Sequence, residues 1–186
     1  MVHSIEFLLD DAGDQRIRAQ WAALAEAGLP SQARIHSATN RPHITAIAAG
    51  TVSAEVDAAL ATVGMRLPTP VTLGAVVMFG HGPRRVLARL VVPTAELLSV
   101  RAAIVRLGAE HTARADGSAS MFEHSHPGSW TAHITLARRV EVDQIGPALQ
   151  VLDATHREND NATAVIALRR WDGDAEVEHV VAGRNC

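Results

Sequence analysis

Hydrophobic positions along this chain recur at two different spacings, about two residues in some segments and three to four residues in others. The first spacing predicts strands and the second predicts amphipathic helices. Predicted strands cover residues 2–9, 43–49, 71–79, 85–92, 131–137, 163–171 and 175–182. Predicted helices begin after Asp10 or Asp11, Ser53 and Pro93-Thr94, and end near Gly28, Gly64 and Gly108. Alternating strands and helices followed by a terminal hairpin predict an α+β fold.

The order of these elements repeats within the chain. A strand, a helix and a loop lead to a strand that begins His-Ile-Thr at His43, and the same series leads to His-Ile-Thr at His133. We interpret this as an internal duplication of architecture, with repeats over roughly residues 1–80 and 81–186 of a single domain. The second repeat differs by a polar, histidine-rich loop over residues 109–129. A loop of this length is typical of a functional or mobile segment.

Composition supports one globular domain with a substantial core, because 47% of the 186 residues are hydrophobic and 20% are charged. A formal net charge of −3 disfavours a broad basic face for long duplex nucleic acid. The single cysteine, Cys186, has no partner for an intrachain disulfide, so we expect a cytoplasmic protein. The N-terminus lacks the basic segment of a signal peptide. No apolar stretch approaches the roughly 20 residues of a membrane span.

Each His-Ile-Thr strand presents a polar pair on one face. Side chains alternate along a strand, so His43 and Thr45 share a face, as do His133 and Thr135, about 7 Å apart between Cα atoms. The intervening isoleucine points to the opposite, apolar face. Each strand therefore holds an imidazole and a hydroxyl on one face at a fixed separation.

Two such pairs facing one cleft would suit the cleavage of a phosphodiester. One imidazole can remove a proton from the attacking oxygen while the other protonates the leaving oxygen, since the ordinary histidine pKa is about 6.5. The threonine hydroxyls can stabilise charge on the non-bridging oxygens. This chemistry needs no metal and no cofactor.

The segments Arg41–Thr45 and Thr131–Arg138 resemble the motifs of the two-histidine phosphoesterases, within them the 2′-5′ RNA ligase and RNA 2′,3′-cyclic phosphodiesterase branch. The resemblance implies two pseudo-symmetric lobes, each a mostly antiparallel sheet with outer helices, around a central cleft. It also implies opening of 2′,3′-cyclic phosphate ends to 2′-phosphates, with 2′-5′ ligation in some members. By the same resemblance, His43 and His133 are the acid–base pair and Thr45 and Thr135 hold the phosphate. The implied partner is an RNA end or a small cyclic nucleotide, bound by a monomer.

Further residues are candidates for contacts with the substrate. Aromatic content is only 3%, with no tyrosine, so few side chains can stack on a base. We expect Trp21 and Trp130 to lie in the core. The candidates for substrate binding are Arg41, Arg84, Arg85, Phe79, Phe122 and His126.

Alternative interpretations remain open at this stage. The same scaffold could bind a nucleotide without turnover, or His111, His124 and His126 could form a metallohydrolase site. Glu123 is the only carboxylate at a suitable spacing from these histidines, and no cysteine is. This favours a polar loop over a metal site. A histidine-triad hydrolase is excluded because Thr135 replaces the alternating histidine that family needs. No Gly-x-Ser-x-Gly elbow is present for a serine hydrolase.

Overall fold

The computed structural model describes residues 1–113, 121–155 and 161–183. Within these ranges the strands are β1 His3–Leu9, β2 His43–Ala49, β3 Thr51–Val52, β4 Thr69–Phe79, β5 Arg84–Val92, β6 Thr112–Ala113, β7 His133–Glu141, β8 Ala162–Asp172 and β9 Val177–Gly183. The α-helices are α1 Asp11–Glu26, α2 Val56–Leu60, α3 Ala95–Gly108 and α4 Ile145–Ala154. The mixture of helices with an antiparallel sheet confirms the predicted α+β class.

Local sequence signals account for the two longest helices. The side chain of Asp10 accepts a hydrogen bond from the backbone N–H of Gly13, and Thr94 does the same for Leu97, so both helices begin at a predicted cap. The apolar face of α1 carries Ile17, Trp21 and Leu24, all buried as expected. Packing of these faces places both helices on the core.

Two local predictions differ from the structure. Ser53 does not cap α2, which begins only at Val56 without a side-chain cap, because the backbone of Ser53 is bound to His111 next to the β3–β6 pairing. The pattern also missed α4, whose Gly146-Pro147 sequence is typical of a loop. Proline is tolerated in the first helical turn, where its missing N–H has no partner to lose.

One antiparallel sheet carries most of the architecture. Its strand order is β2-β1-β8-β4-β5-β7, with β9 added to β8. The two end strands, β2 and β7, are the His-Ile-Thr strands, and they approach each other within 8 Å between Cα atoms. Strand β8, although late in the chain, pairs with both β1 and β4, and β9 pairs with β8. The boundary near residue 80 between two repeats stays a prediction.

Both His-Ile-Thr strands pair with their neighbours in the same register. On β2 and on β7 one extra residue, Ala46 or Leu136, directly follows the motif threonine and forms a bulge. The equivalent partners are Leu8 with His43 and Glu6 with Thr45 in one pair, and Leu90 with His133 and Ala88 with Thr135 in the other. The repeat seen in the sequence thus extends to the register of individual residues.

The apolar faces of these strands form the core. Ile44 and Ile134, the central residues of the two motifs, are fully buried, and so are the bulge residues Ala46 and Leu136. None of the described helices combines the length and the apolar character needed to span a membrane.

Candidate active site

The two motif histidines adopt the same local hydrogen-bonding arrangement. Nδ1 of His43 lies 2.7 Å from the carbonyl oxygen of Arg41, and Nδ1 of His133 lies 2.7 Å from that of Thr131. A carbonyl can only accept, so each Nδ1 carries a hydrogen that it donates two residues back along the chain. In each ring Nε2 is therefore the nitrogen left to exchange protons.

The motif threonines lie two residues further along each strand. Thr45 and Thr135 are partly exposed, whereas the isoleucine before each of them is fully buried. In the part of the chain that the structure describes, neither hydroxyl has a hydrogen-bond partner. Both hydroxyls are therefore available to a ligand.

Two tryptophans donate hydrogen bonds to the backbone of the motifs, and each one binds the motif in the other half of the chain. Trp130, three residues before His133, donates from Nε1 to the carbonyl of Thr45 at 2.8 Å. Trp21 on α1 donates from Nε1 to the carbonyl of Thr135 at 3.0 Å. Both indoles pack on the core as predicted, but no local pattern in the sequence indicates these bonds. Each motif is thus held by an indole from the other part of the chain.

A buried charged pair lies beside His43 and was not identified from the sequence. Oε1 of Glu6 lies 3.5 Å from Nε2 of His43 and accepts from the Ser4 hydroxyl, while Oε2 accepts from Nε of Arg169 at 2.7 Å. Burial alone raises the pKa of Glu6, but the charges of His43 and Arg169 outweigh it and hold this pKa below its ordinary value. Glu6 is therefore an ionised carboxylate. The available signal was a glutamate that interrupts the apolar run from Ile5 to Leu9.

Arg169 links this pair to a second carboxylate. Its guanidinium also donates to Glu178 on β9, and Glu178 lies 3.6 Å from Nε of Arg41. Arg41 thus lies two residues before His43 in sequence, but its guanidinium is directed to Glu178. Nη2 of Arg169 lies 3.5 Å from Nδ1 of His43, a weaker contact than the 2.7 Å bond that sets the tautomer.

His133 lies in a less polar environment. The ring of Phe79 stands 4.6 Å from it between centroids, at an angle of 48°. Burial lowers the pKa of His133, and the positive charges of His43, His124 and Arg138 lower it further, against the opposing bond to Thr131. His43 is thus among the charges that hold the pKa of His133 below its ordinary value. Phe79 is therefore brought to the site, as a neighbour of His133.

The remaining candidates for substrate binding are placed differently. Arg84 forms an ion pair with Glu141 at 2.8 Å, and Arg85 donates to the carbonyl of Gly82. Neither guanidinium makes a hydrogen bond or ion pair with a motif residue in the described ranges. Phe122 lies 5.9 Å from the ring of His124, and the side chain of His126 is exposed. The structure does not join these four residues to the histidines.

A cavity of ≈ 280 Å³ adjoins the site between α1 and the segment before β2. Leu8, Asp14, Arg18 and Arg41 are among its lining residues, and neither histidine is. Residues 1–113, 121–155 and 161–183 contain no cluster of three or more metal-ligating side chains; part of the histidine-rich loop, residues 114–120, lies outside them.

Comparisons with known proteins identify a family and similar folds. The model of the 2′-5′ RNA ligase superfamily matches residues 11–175. Among curated proteins, none matches the sequence. Similar solved structures include Escherichia coli LigT complexed with 3′-AMP, at 20% identity and a TM-score of 0.53 over 97% of this chain and 94% of that one.

Two further structures are similar over nearly their whole length. Escherichia coli LigT complexed with NADP+ is 18% identical, with a TM-score of 0.51 over 98% of this chain and 94% of that one. A protein described as a phosphoesterase is 18% identical, with a TM-score of 0.52 over 99% of this chain and 95% of that one. At this identity the likeness concerns the fold alone.

Proposed function

This chain belongs to the 2′-5′ RNA ligase superfamily, and we propose that it is a metal-independent phosphodiesterase that opens 2′,3′-cyclic phosphate ends to 2′-phosphates. Membership supports phosphodiesterase or ligase chemistry in general. The observation that carries the finer proposal is the matched pair of motifs. Each presents an imidazole whose Nδ1 is bound to a backbone carbonyl, which leaves Nε2 for proton transfer, and a threonine hydroxyl without a partner in the described chain.

In the proposed reaction, water attacks the phosphorus and the bond to the 3′ oxygen breaks. One imidazole takes a proton from the water, and the other gives a proton to the departing oxygen. Thr45 and Thr135 donate hydrogen bonds to the non-bridging oxygens, whose negative charge grows in the transition state. The same displacement, with the 5′-hydroxyl of another RNA end attacking in place of water and the 3′ oxygen leaving, would form a 2′-5′ linkage.

The proposed substrate is an RNA end or a small cyclic nucleotide. LigT has been observed with 3′-AMP and with NADP+, both of which are nucleotides, and this supports a ligand of that size. The formal net charge of −3 also favours a short ligand over a long duplex.

Hydrolysis of short oligonucleotides with 2′,3′-cyclic phosphate ends, measured in EDTA, tests the proposal. We expect His43→Ala and His133→Ala each to lower kcat by about 10²–10⁴-fold, because each variant loses one proton transfer. His179→Ala, which removes an exposed histidine from β9, is the matched control and should leave kcat unchanged. Unchanged turnover in both motif variants would end the proposal.

The other candidate function, nucleotide binding without turnover, predicts a different result in the same assay. A wild-type protein that binds cyclic nucleotides but hydrolyses none of a broad panel of phosphodiesters would favour it.

A further inference from the structure

The environments of the two histidines differ at one equivalent position. On β1, the residue paired with Thr45 is Glu6, whose neighbour on β8 is Arg169. On β5, the residue paired with Thr135 is Ala88, whose neighbour on β4 is Val77. A carboxylate and a guanidinium in one half thus correspond to two apolar side chains in the other. The motifs are identical, but the charges next to them are not.

This difference changes which nitrogens of each ring can keep a proton. His43 has an acceptor near both nitrogens, the carbonyl of Arg41 at Nδ1 and the carboxylate of Glu6 at Nε2. This arrangement suits an imidazolium, which carries two N–H groups. His133 has one such acceptor, the carbonyl of Thr131, and Phe79 beside its ring. A neutral ring with a lone pair on Nε2 suits that position.

The other charges near His43 do not reverse this preference. Arg169 opposes a proton on the ring, but its charge is shared between two carboxylates, Glu6 and Glu178, and Glu178 is also close to Arg41. The charges alternate in sign along this chain of groups, and a protonated His43 continues the alternation. By element, the charged groups around the two rings are Glu6 on β1, Arg169 on β8, Glu178 on β9, Arg41 before β2, Arg138 on β7, and His124 before it.

We propose that Glu6 is a positioning residue that keeps a proton on Nε2 of His43, so that His43 protonates the leaving oxygen and His133 accepts the proton of the attacking water. This assignment rests on the proposed function. Per turnover, one water proton passes to Nε2 of His133 and one proton passes from Nε2 of His43 to the 3′ oxygen. The new phosphorus–oxygen bond replaces the broken one. The lowered pKa of His133, caused first by burial, agrees with its role as the base.

The pH dependence of kcat/KM for a cyclic-phosphate substrate tests the role of Glu6. Its acidic limb reports the base, and its basic limb reports the acid. In Glu6→Gln we expect the basic limb to move to lower pH by about one unit or more, because a neutral amide no longer favours the proton on His43. The acidic limb should stay in place.

The matched control is Asp57→Asn, because Asp57 binds the buried Arg170, the next residue on β8, through two bonds of 2.8 Å. That variant removes a carboxylate from a buried arginine without touching His43, so both limbs should match those of wild type. A folded Glu6→Gln variant with both limbs unmoved would overturn the proposal.

A second measurement needs no variant. Nitrogen-15 NMR of the wild-type rings, followed as the pH rises, should find that Nε2 of His133 loses its proton before Nε2 of His43 does. A neutral His43 beside a charged His133 would overturn the assignment, even if Glu6→Gln does not fold. A wild-type protein that hydrolyses no phosphodiester would instead refute the proposed function, and NMR of wild type and Glu6→Gln would still decide whether Glu6 holds the proton on His43.

Discussion

At the scale of single residues, His43 and His133 show how one tripeptide acquires two chemical environments. Both rings donate from Nδ1 to the carbonyl two residues earlier, so the local chain sets the same tautomer twice. The neighbours from other strands then differ, Glu6 at one ring and Phe79 at the other. Charge near an imidazole favours or disfavours its protonated form. Neighbouring strands can therefore give two identical motifs different proton affinities.

The contact between Phe79 and His133 leads to a prediction about pH. Burial lowers the pKa of His133, and a base works only when unprotonated, so the acidic limb of kcat/KM should lie below the ordinary histidine value of 6.5. Phe79→Leu should hydrate the ring, raise this pKa and move the acidic limb to higher pH by about half a unit. Phe122→Leu, at an aromatic side chain near His124 instead, is the control. An acidic limb that stays in place in Phe79→Leu would contradict this explanation.

At the scale of elements, the bulges are the feature that the two histidine strands share beyond their motif. A bulge interrupts the ladder of hydrogen bonds, and here the carbonyl just before the extra residue accepts from an indole N–H. The tryptophans therefore complete the hydrogen bonding at the point where each strand bends.

Replacing either indole tests this function of the tryptophans. Trp130→Phe and Trp21→Phe each leave a motif carbonyl without its donor, so each should lower the free energy of unfolding by about 1–3 kcal/mol in urea titrations. Trp171→Phe is the control, because the Trp171 indole donates no hydrogen bond to any described residue. Equal losses in all three variants would show that the lost ring volume, not the hydrogen bond, is responsible.

The caps of α1 and α3 allow a second comparison between elements. The carboxylate of Asp10 caps α1 and also accepts from the Thr163 hydroxyl and the backbone N–H of Ala164 on β8. Thr94 caps α3 through a single bond, to Leu97. Thr94→Ala should cost about 1 kcal/mol of unfolding free energy, and Asp10→Ala should cost more, because it also breaks the contact with β8. Thermal or urea unfolding measures both, and a smaller loss in Asp10→Ala would contradict the additional role.

At the scale of the whole molecule, strands from distant parts of the chain alternate within one sheet. β8 pairs with both β1 and β4, so the pairing of β4 with β8 connects the strands around His43 to those around His133. The crossed hydrogen bonds of Trp21 and Trp130 connect the same parts a second time. The strands around either histidine therefore cannot unfold without exposing the strands that pair with them.

We therefore predict one cooperative unfolding transition. Tryptophan fluorescence and far-ultraviolet circular dichroism should give the same urea midpoint, because all strands of the large sheet lose their partners together. Separate midpoints, or a calorimetric enthalpy well above the van't Hoff enthalpy, would instead indicate two independently unfolding halves.

Sequence patterns anticipated features that depend on neighbouring residues and missed those that depend on distant ones. The strand over residues 43–49, the cap at Asp10 and the terminal hairpin follow from periodicity and turn chemistry, which act over a few residues. The start of α2 was missed because His111, far along the chain, binds Ser53. The pair of Glu6 and Arg169 was missed for the same reason, since 163 positions separate the two residues.

By itself the sequence determined the two polar pairs, their rigid mounts and the apolar faces beneath them, because side-chain alternation along a strand is a property of the local backbone. Only the tertiary structure decided what surrounds each imidazole. The charge beside His43, the aromatic ring beside His133 and the indoles behind both threonines come from other strands and helices. Proton affinity depends on burial and on charges within a few ångströms, and the packing of distant segments sets both.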